Sequence, residues 1–301
     1  MPAPTLTPTL IRQTKVLLVT PAGADTQVQL DLHQALDELV AQSGLEVKAQ
    51  AGVSEEDLSS GVRMVVALPP DPGIAALAEK YSNIQFLAIG IPGLQATANL
   101  NLIGPQGYRQ DQQAFLAGYI GAIVTPDWRA GLLVEPGSPA IDAFRNGLRF
   151  FCGLCRPAFP PFIPNPQVAE ITNPQDQASW QASIDLLVNQ GVQTFYVTAS
   201  VSSPELLTYI AESRSNLIGA SMPTAGLSDS WVATVRPDPA AALRLLWPRL
   251  LEGQGGQQVD LPLQVSDVNP AKLGTARLRL VQQTLDDLIH DRINPNPVPE
   301  P

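Results

Sequence analysis

The sequence is poor in the residues that chemistry most often recruits. Among 301 residues there are two histidines (His33, His290) and two cysteines (Cys152, Cys155). A structural zinc site gathers several imidazole or thiolate ligands in one place, so a metal centre has little to draw on. Lysine is confined to Lys15, Lys48, Lys80 and Lys272; every other cation is an arginine. Lys plus Arg number 18 against 28 Asp plus Glu, a formal charge of −10. That balance works against the broad cationic footprint a nucleic-acid backbone requires, and no nucleic-acid partner is expected. No run approaches the roughly 18 apolar residues that span a bilayer. Gly-x-Ser-x-Gly, Gly-x-x-x-x-Gly-Lys and a Gly-x-Gly-x-x-Gly after the first strand are also missing. No catalytic residue and no cofactor is therefore assigned.

What is present is globular: 45% hydrophobic and 15% charged residues. At this length roughly 75% of the unfolded chain's surface can be buried, so the core needs no staples. Both ends are rich in proline, which fixes φ and cannot join a ladder. Residues 1–14 read as a Pro/Thr-rich tether and residues 294–301 as a Pro-rich tail. A Thr/Pro tether commonly follows an export signal or a lipid-anchored cysteine, and the composition is equally consistent with a frayed N-terminus. The expectation is an extracytoplasmic protein, periplasmic or at the cell surface, with any membrane attachment through an N-terminal lipid anchor.

Between the ends, short apolar runs alternate with segments of helical spacing. KVLLVT (Lys15–Thr20), VRMVVAL (Val62–Leu68) and QFLAI (Gln85–Ile89) read as strands buried on both faces, with Asn101–Ile103 a brief edge strand. Gln29–Ser43 has helical spacing and Gly44 as its stop. The rhythm restarts after Pro105. Tyr108–Val124 is a helix whose Ala117, Gly118 and Gly121 permit close packing, and Pro139–Phe151 is another. Strands follow at Gly131–Val134, Val168–Thr172, Gln193–Val197 and Leu217–Ala220. A last section, with strands at Trp231–Val235 and Val259–Val265, is too short for a third domain and is read as completing both halves. The fold class is α/β, two doubly wound parallel-sheet lobes with a multi-strand hinge and a ligand cleft. Lobe one takes 15–107 plus 237–263 and lobe two takes 108–236 plus 264–293.

Several segments resemble the basic membrane protein family of type 1 periplasmic-binding proteins, which includes purine nucleoside receptor A-like lipoproteins. Gln112–Gly118 (QQAFLAG) followed by Tyr119 is the most specific match. Lys15–Thr20, Ile74–Phe86, Ala130–Glu135, Ala143–Gly147 (AFRNG), Leu217–Gly219 and Val232–Val235 are similar to other stretches of that family. The resemblance implies a solute-binding protein of an ABC-type transporter, with a nucleoside as ligand and a membrane permease as partner. The family's Asp-x-x-Phe-Asn loop corresponds to Asp25-Thr26-Gln27-Val28-Gln29, in which the base-stacking aromatic is replaced by Val28. Its later acidic pattern corresponds to Ala220-Ser221-Met222-Pro223, without a carboxylate, and its Gly-rich loop to Ala199–Ser203. The scaffold is expected to be kept and the ligand chemistry changed.

The ligand-binding residues expected are Asp25, Gln29, Asp111, Ser200, Ser221, Trp231 and Arg236. Trp231 is chosen as the aromatic beside the hinge. Asp111 is equally consistent with complementing a helix N-terminus. For Cys152 and Cys155, a local disulfide ranks ahead of buried thiols. Redox chemistry ranks third, because a helix end disfavours thiolate. The functions expected are a solute-binding protein closing on a small polar ligand, then a sensor or regulatory module, then an α/β enzyme.

Overall fold

The apolar runs form strands because β-branched and leucine side chains fill both faces of a covered sheet. A computed structural model describes residues 14–24, 26–58 and 61–297. Residues 1–13, which hold nearly all of the expected tether, and 298–301 of the expected tail lie outside the described residues. The chain divides into two units, one holding the chain up to Tyr108 with Asp238–Pro262, the other Arg109–Pro237 with the chain from Leu263.

In chain order, the first unit contains β1 (Lys15–Val19), α1 (Thr26–Ser43), β2 (Glu46–Gln50), α2 (Glu55–Leu58), β3 (Val62–Ala67), α3 (Ile74–Lys80), β4 (Gln85–Ile89) and β5 (Leu100–Ile103). The second unit begins with α4 (Gln110–Val124), β6 (Ala130–Val134), α5 (Ala140–Cys152), β7 (Gln167–Glu170) and α6 (Gln177–Asn189). It continues with β8 (Thr194–Val197), α7 (Pro204–Glu212), β9 (Asn216–Gly219) and β10 (Trp231–Pro237). The chain then returns to the first unit for α8 (Pro239–Leu251) and β11 (Gln258–Val259). It ends in the second with β12 (Leu263–Ser266) and α9 (Thr275–Ile289).

The first sheet has the order β11-β5-β4-β3-β1-β2 and is parallel throughout. One face is covered by α1 and α8, whose Leu32, Leu36, Leu243 and Leu246 are buried against Val16, Leu18 and Val66. The opposite face is covered by Ile74 and Ala78 of α3 against Leu17, Val65 and Phe86. β5 is not an edge strand, because β11 pairs outside it. The expected strand over 259–265 is divided instead: β11 joins one sheet and β12 the other. Pro262 lies at the break, where it has no N–H to offer a ladder, and its carbonyl accepts from the Asp238 N–H at 2.7 Å.

The second sheet runs β12-β10-β9-β8-β6-β7, parallel except for β12, which pairs antiparallel to β10. Its central helix is α4, buried at every residue from Gln112 to Ile123. The buried stretch leaves no polar face, so its two glutamines, Gln112 and Gln113, must find partners inside. Gln112 Nε2 donates to the Leu288 carbonyl (3.0 Å) and Gln113 Nε2 to the Val235 carbonyl (2.6 Å), tying α4 to α9 and β10. Small residues let α4 and α5 meet backbone to backbone: a Cβ on Gly118 would collide with the Phe144 carbonyl, and one on Gly147 with the Phe115 carbonyl.

Candidate functional site

Open parallel sheets bind ligands beyond the carboxyl ends of their strands, where the strand order reverses. In the first sheet the reversal lies between β1 and β3; in the second it lies between β6 and β8.

In the first unit, β1 runs into Thr20-Pro21-Ala22-Gly23 and β3 into Leu68-Pro69-Pro70. These loops offer main chain more than side chain. Asp25 lies outside the described residues. Gln29, in the first turns of α1, donates its Nε2 to the Ala24 carbonyl at 3.0 Å and so closes the β1 loop. Val28, at the position where the resembling family has its aromatic, is 5% exposed and belongs to the core under α1. Its side chain is committed to packing.

The second unit is built differently. Glu135 follows β6, and Thr198 and Ser200 follow β8, so the three flank the reversal point. Ser200 Oγ donates to Glu135 Oε2. Thr198 Oγ1 lies 3.2 Å from the same oxygen and 3.0 Å from Ser200 Oγ. Burial pushes the Glu135 carboxyl up, but hydrogen bonds from Ser200, its own backbone N–H, Ser138 and Thr198 outweigh that and hold it below the usual glutamate range. A carboxylate held charged in this way accepts hydrogen bonds from hydroxyl or amine donors. Glu135 and Thr198 were not singled out from the sequence. The available signal was position: Glu135 is the first polar residue after the strand that opens the second βα series.

The remaining expected residues of this unit take separate roles. Asp111 sits in the first turn of α4 and receives a fork from Arg109, Nε to Oδ1 and Nη2 to Oδ2, both 2.9 Å. Burial pushes its carboxyl up, and the Arg109 hydrogen bond and charge, with backbone N–H groups of Asp111 and Gln112, hold it below the usual range. Ser221 is half-buried after β9, and its carbonyl accepts from Thr234 Oγ1 at 3.5 Å. Arg236, on the part of β10 that runs past β9, directs Nε to Ser266 Oγ at 3.4 Å. Trp231 departs from expectation. It is 2% exposed, packs with Trp180, Phe195 and Leu217, and donates Nε1 to Thr234 Oγ1 at 3.2 Å. Its indole lies where a Cβ on Gly219 would be, so this ring is core rather than an aromatic surface for a ligand.

Cys152 and Cys155 are joined as a disulfide at the end of α5. Among the described residues there is no group of three or more His, Cys, Asp or Glu placed to hold a metal ion. None of the helices there is long and apolar enough to cross a membrane.

No protein-family model and no curated protein sequence matches the chain. Solved structures do match in fold. A transcriptional activator of the comK gene from Bacillus halodurans aligns with a TM-score of 0.64 at 14% identity, over 94% of this chain and 100% of that one. A solute-binding protein of an ABC transporter system from Aeropyrum pernix K1 aligns with a TM-score of 0.58 at 15% identity, over 93% of this chain and 92% of that one. The Caulobacter myo-inositol binding protein bound to myo-inositol gives a TM-score of 0.53 at 15% identity, over 91% and 100% of the two chains. The two parallel-sheet α/β units are thus those of the type 1 periplasmic-binding protein fold. These neighbours are binding and regulatory proteins.

Proposed function

We propose that the protein is an extracytoplasmic solute-binding protein whose two units close on a small polar ligand. The reading rests on one observation above others: Glu135, fixed by Ser200 and Thr198, stands at the reversal point of the second sheet. A fixed carboxylate there favours a donor-rich ligand such as a sugar, or the ribose of a nucleoside. The resemblance to the basic membrane protein family favours the nucleoside, while the burial of Val28 argues for recognition through the sugar rather than by stacking on the base. Gln29, Asp25 and the main chain of the β1 and β3 loops would supply contacts from the first unit. Asp111, Ser200, Ser221 and Arg236 would join Glu135 from the second. Contacts made to both units exist only in the closed form, so ligand shifts the open–closed equilibrium by its differential affinity. A membrane permease of an ABC transporter would read the closed state.

A second reading, a ligand-binding regulatory module, is favoured by the full-length alignment of the comK activator. The two share the ligand step and differ in what reads it. A thermal-shift screen across nucleosides, sugars, polyols and amino acids tests that shared step. A ligand at 100 times its dissociation constant should stabilise by roughly 2.7 kcal/mol, and the shift should vanish in Glu135→Ala. A flat response across all classes, or an undiminished shift in the variant, overturns the site. Small-angle scattering with the hit compound tests closure, which requires a smaller radius of gyration when bound.

A further inference from the structure

The second unit carries an exposed apolar surface at the end opposite Glu135. Because α5 leaves the carboxyl end of β6 and the chain returns to start β7 parallel to it, the loop over 153–166 lies at the amino ends of the strands. Here Leu154 is 79% exposed, Phe159 69% and Phe162 70%, with Phe150 at 57% on the adjoining turn of α5. Single exposed apolar residues are ordinary, but four on one short segment mark an interaction surface. Leu154 and Phe162 wall a groove of about 370 Å³ together with Arg149 and Arg156.

The loop is held in place. The Cys152–Cys155 disulfide closes its first turn. Arg129, 6% exposed, donates Nη2 to the carbonyls of Phe159 (2.6 Å) and Pro160 (3.2 Å). The Ala158 N–H donates to Asp127 Oδ1 at 3.2 Å. Side chains presented on a fastened loop lose little entropy on docking.

Charge points to the partner. From Asp142 to Glu170 the intervening residues include three arginines (Arg145, Arg149, Arg156) and no acidic residue, in a chain whose net charge is −10. Arg145 pairs with Asp142 at 3.1 Å, while Arg149 and Arg156 are exposed and form no ion pair among the described residues. Three apolar tips on one loop, flanked by two cations, form a small patch of mixed character. It suits insertion into the headgroup boundary of a bilayer, where buried apolar area and attraction to anionic lipid add together. We propose that the loop over 153–166 docks the second unit onto an anionic phospholipid surface. Leu154, Phe159 and Phe162 enter the boundary and Arg149 and Arg156 meet the phosphates.

The test is flotation of the full chain with vesicles of phosphatidylcholine alone and of phosphatidylcholine mixed with phosphatidylglycerol. Binding is expected to the mixed vesicles only, and it should weaken as salt is raised. Arg149→Gln and Arg156→Gln should each weaken it about five-fold, the equivalent of about 1 kcal/mol per cation near an anionic surface. Phe159→Ser with Phe162→Ser should weaken it by at least about ten-fold, since each ring loses its apolar transfer. These positions are exposed, so an unchanged melting temperature verifies that each variant is folded. Absence of binding, or equal binding by the variants, overturns the proposal. So does concentration-dependent dimerisation by light scattering that the same substitutions abolish, which would make the patch a protein interface. The ligand screen above is independent of every one of these outcomes.

Discussion

In the first unit the loops after β1, β3, β4 and β5 are rich in proline and glycine (Pro21 and Gly23, Pro69, Pro70 and Gly73, Gly90 and Pro92, Gly104 and Pro105), and the Asp71 carboxylate among them is turned back onto the Gly73 and Ile74 N–H groups. In the second unit the corresponding loops after β6, β8 and β9 carry Glu135, Thr198, Ser200 and Ser221. The strand order around the reversal point is the same in both sheets. One edge thus presents backbone shape and main-chain polar groups, the other a fixed charge with hydroxyls. A shared architecture sets where a ligand can sit; the side chains at one edge decide which chemistry it must have.

The helices differ as well: those of the first unit contain no glycine, whereas α4 and α5 of the second meet through Gly118 and Gly147, and this seam gives the strongest way to break the comparison. In the second unit Gly147→Ala forces a methyl into the Phe115 carbonyl across the α4–α5 seam. Two packed backbones cannot yield as a side-chain tip can, so a loss of about 3 kcal/mol is expected, the upper part of the range for overpacking. In the first unit Gly73→Ala meets open space and only a left-handed backbone, φ 84°, and should cost about 1 kcal/mol. Chemical denaturation of both variants checks the ranking, and equal losses would mean that the seam is not as tight as described.

Next in size is the disulfide, present only in the second unit among the described residues. Cys152→Ser with Cys155→Ser opens a very short loop, for which chain entropy allows about 2 kcal/mol at most. Melting under reducing and oxidising conditions measures it, and a loss well beyond that would mean the bridge does more than restrict the chain.

Acid should act on the second unit through Glu135. Its folded carboxyl lies below the usual range, so its contribution to stability is complete above the unfolded glutamate value and is lost as pH falls through the folded one. The gap in melting temperature between Glu135→Gln and the native chain should therefore begin to narrow as pH falls below the ordinary glutamate value of about 4.3 and close only below the lowered folded value. A gap between them that stays constant down to acid pH would refute a charged Glu135. The smallest effect is expected at Asp111, whose partner Arg109 is partly exposed. Asp111→Asn should cost no more than about 1 kcal/mol, since solvent screens half-exposed pairs.

The sequence alone determined the parts that depend on local period and composition. Strands buried on both faces appear as unbroken apolar runs, as in Lys15–Val19 and Gln85–Ile89, and the doubly wound α/β class follows from their alternation with helices. The small residues of α4 announced a close helix neighbour, though not that Gly147 would be the other half of the contact. Only the tertiary structure decided what depends on residues far apart in the chain. It sent the halves of 259–265 to different sheets, put Trp231 in the core against Gly219, and gathered Glu135 with Thr198 and Ser200 from two strands. Periodicity records which face of an element is buried. It does not record which neighbour buries it, and a polar site assembled from separate strand ends leaves no period to read.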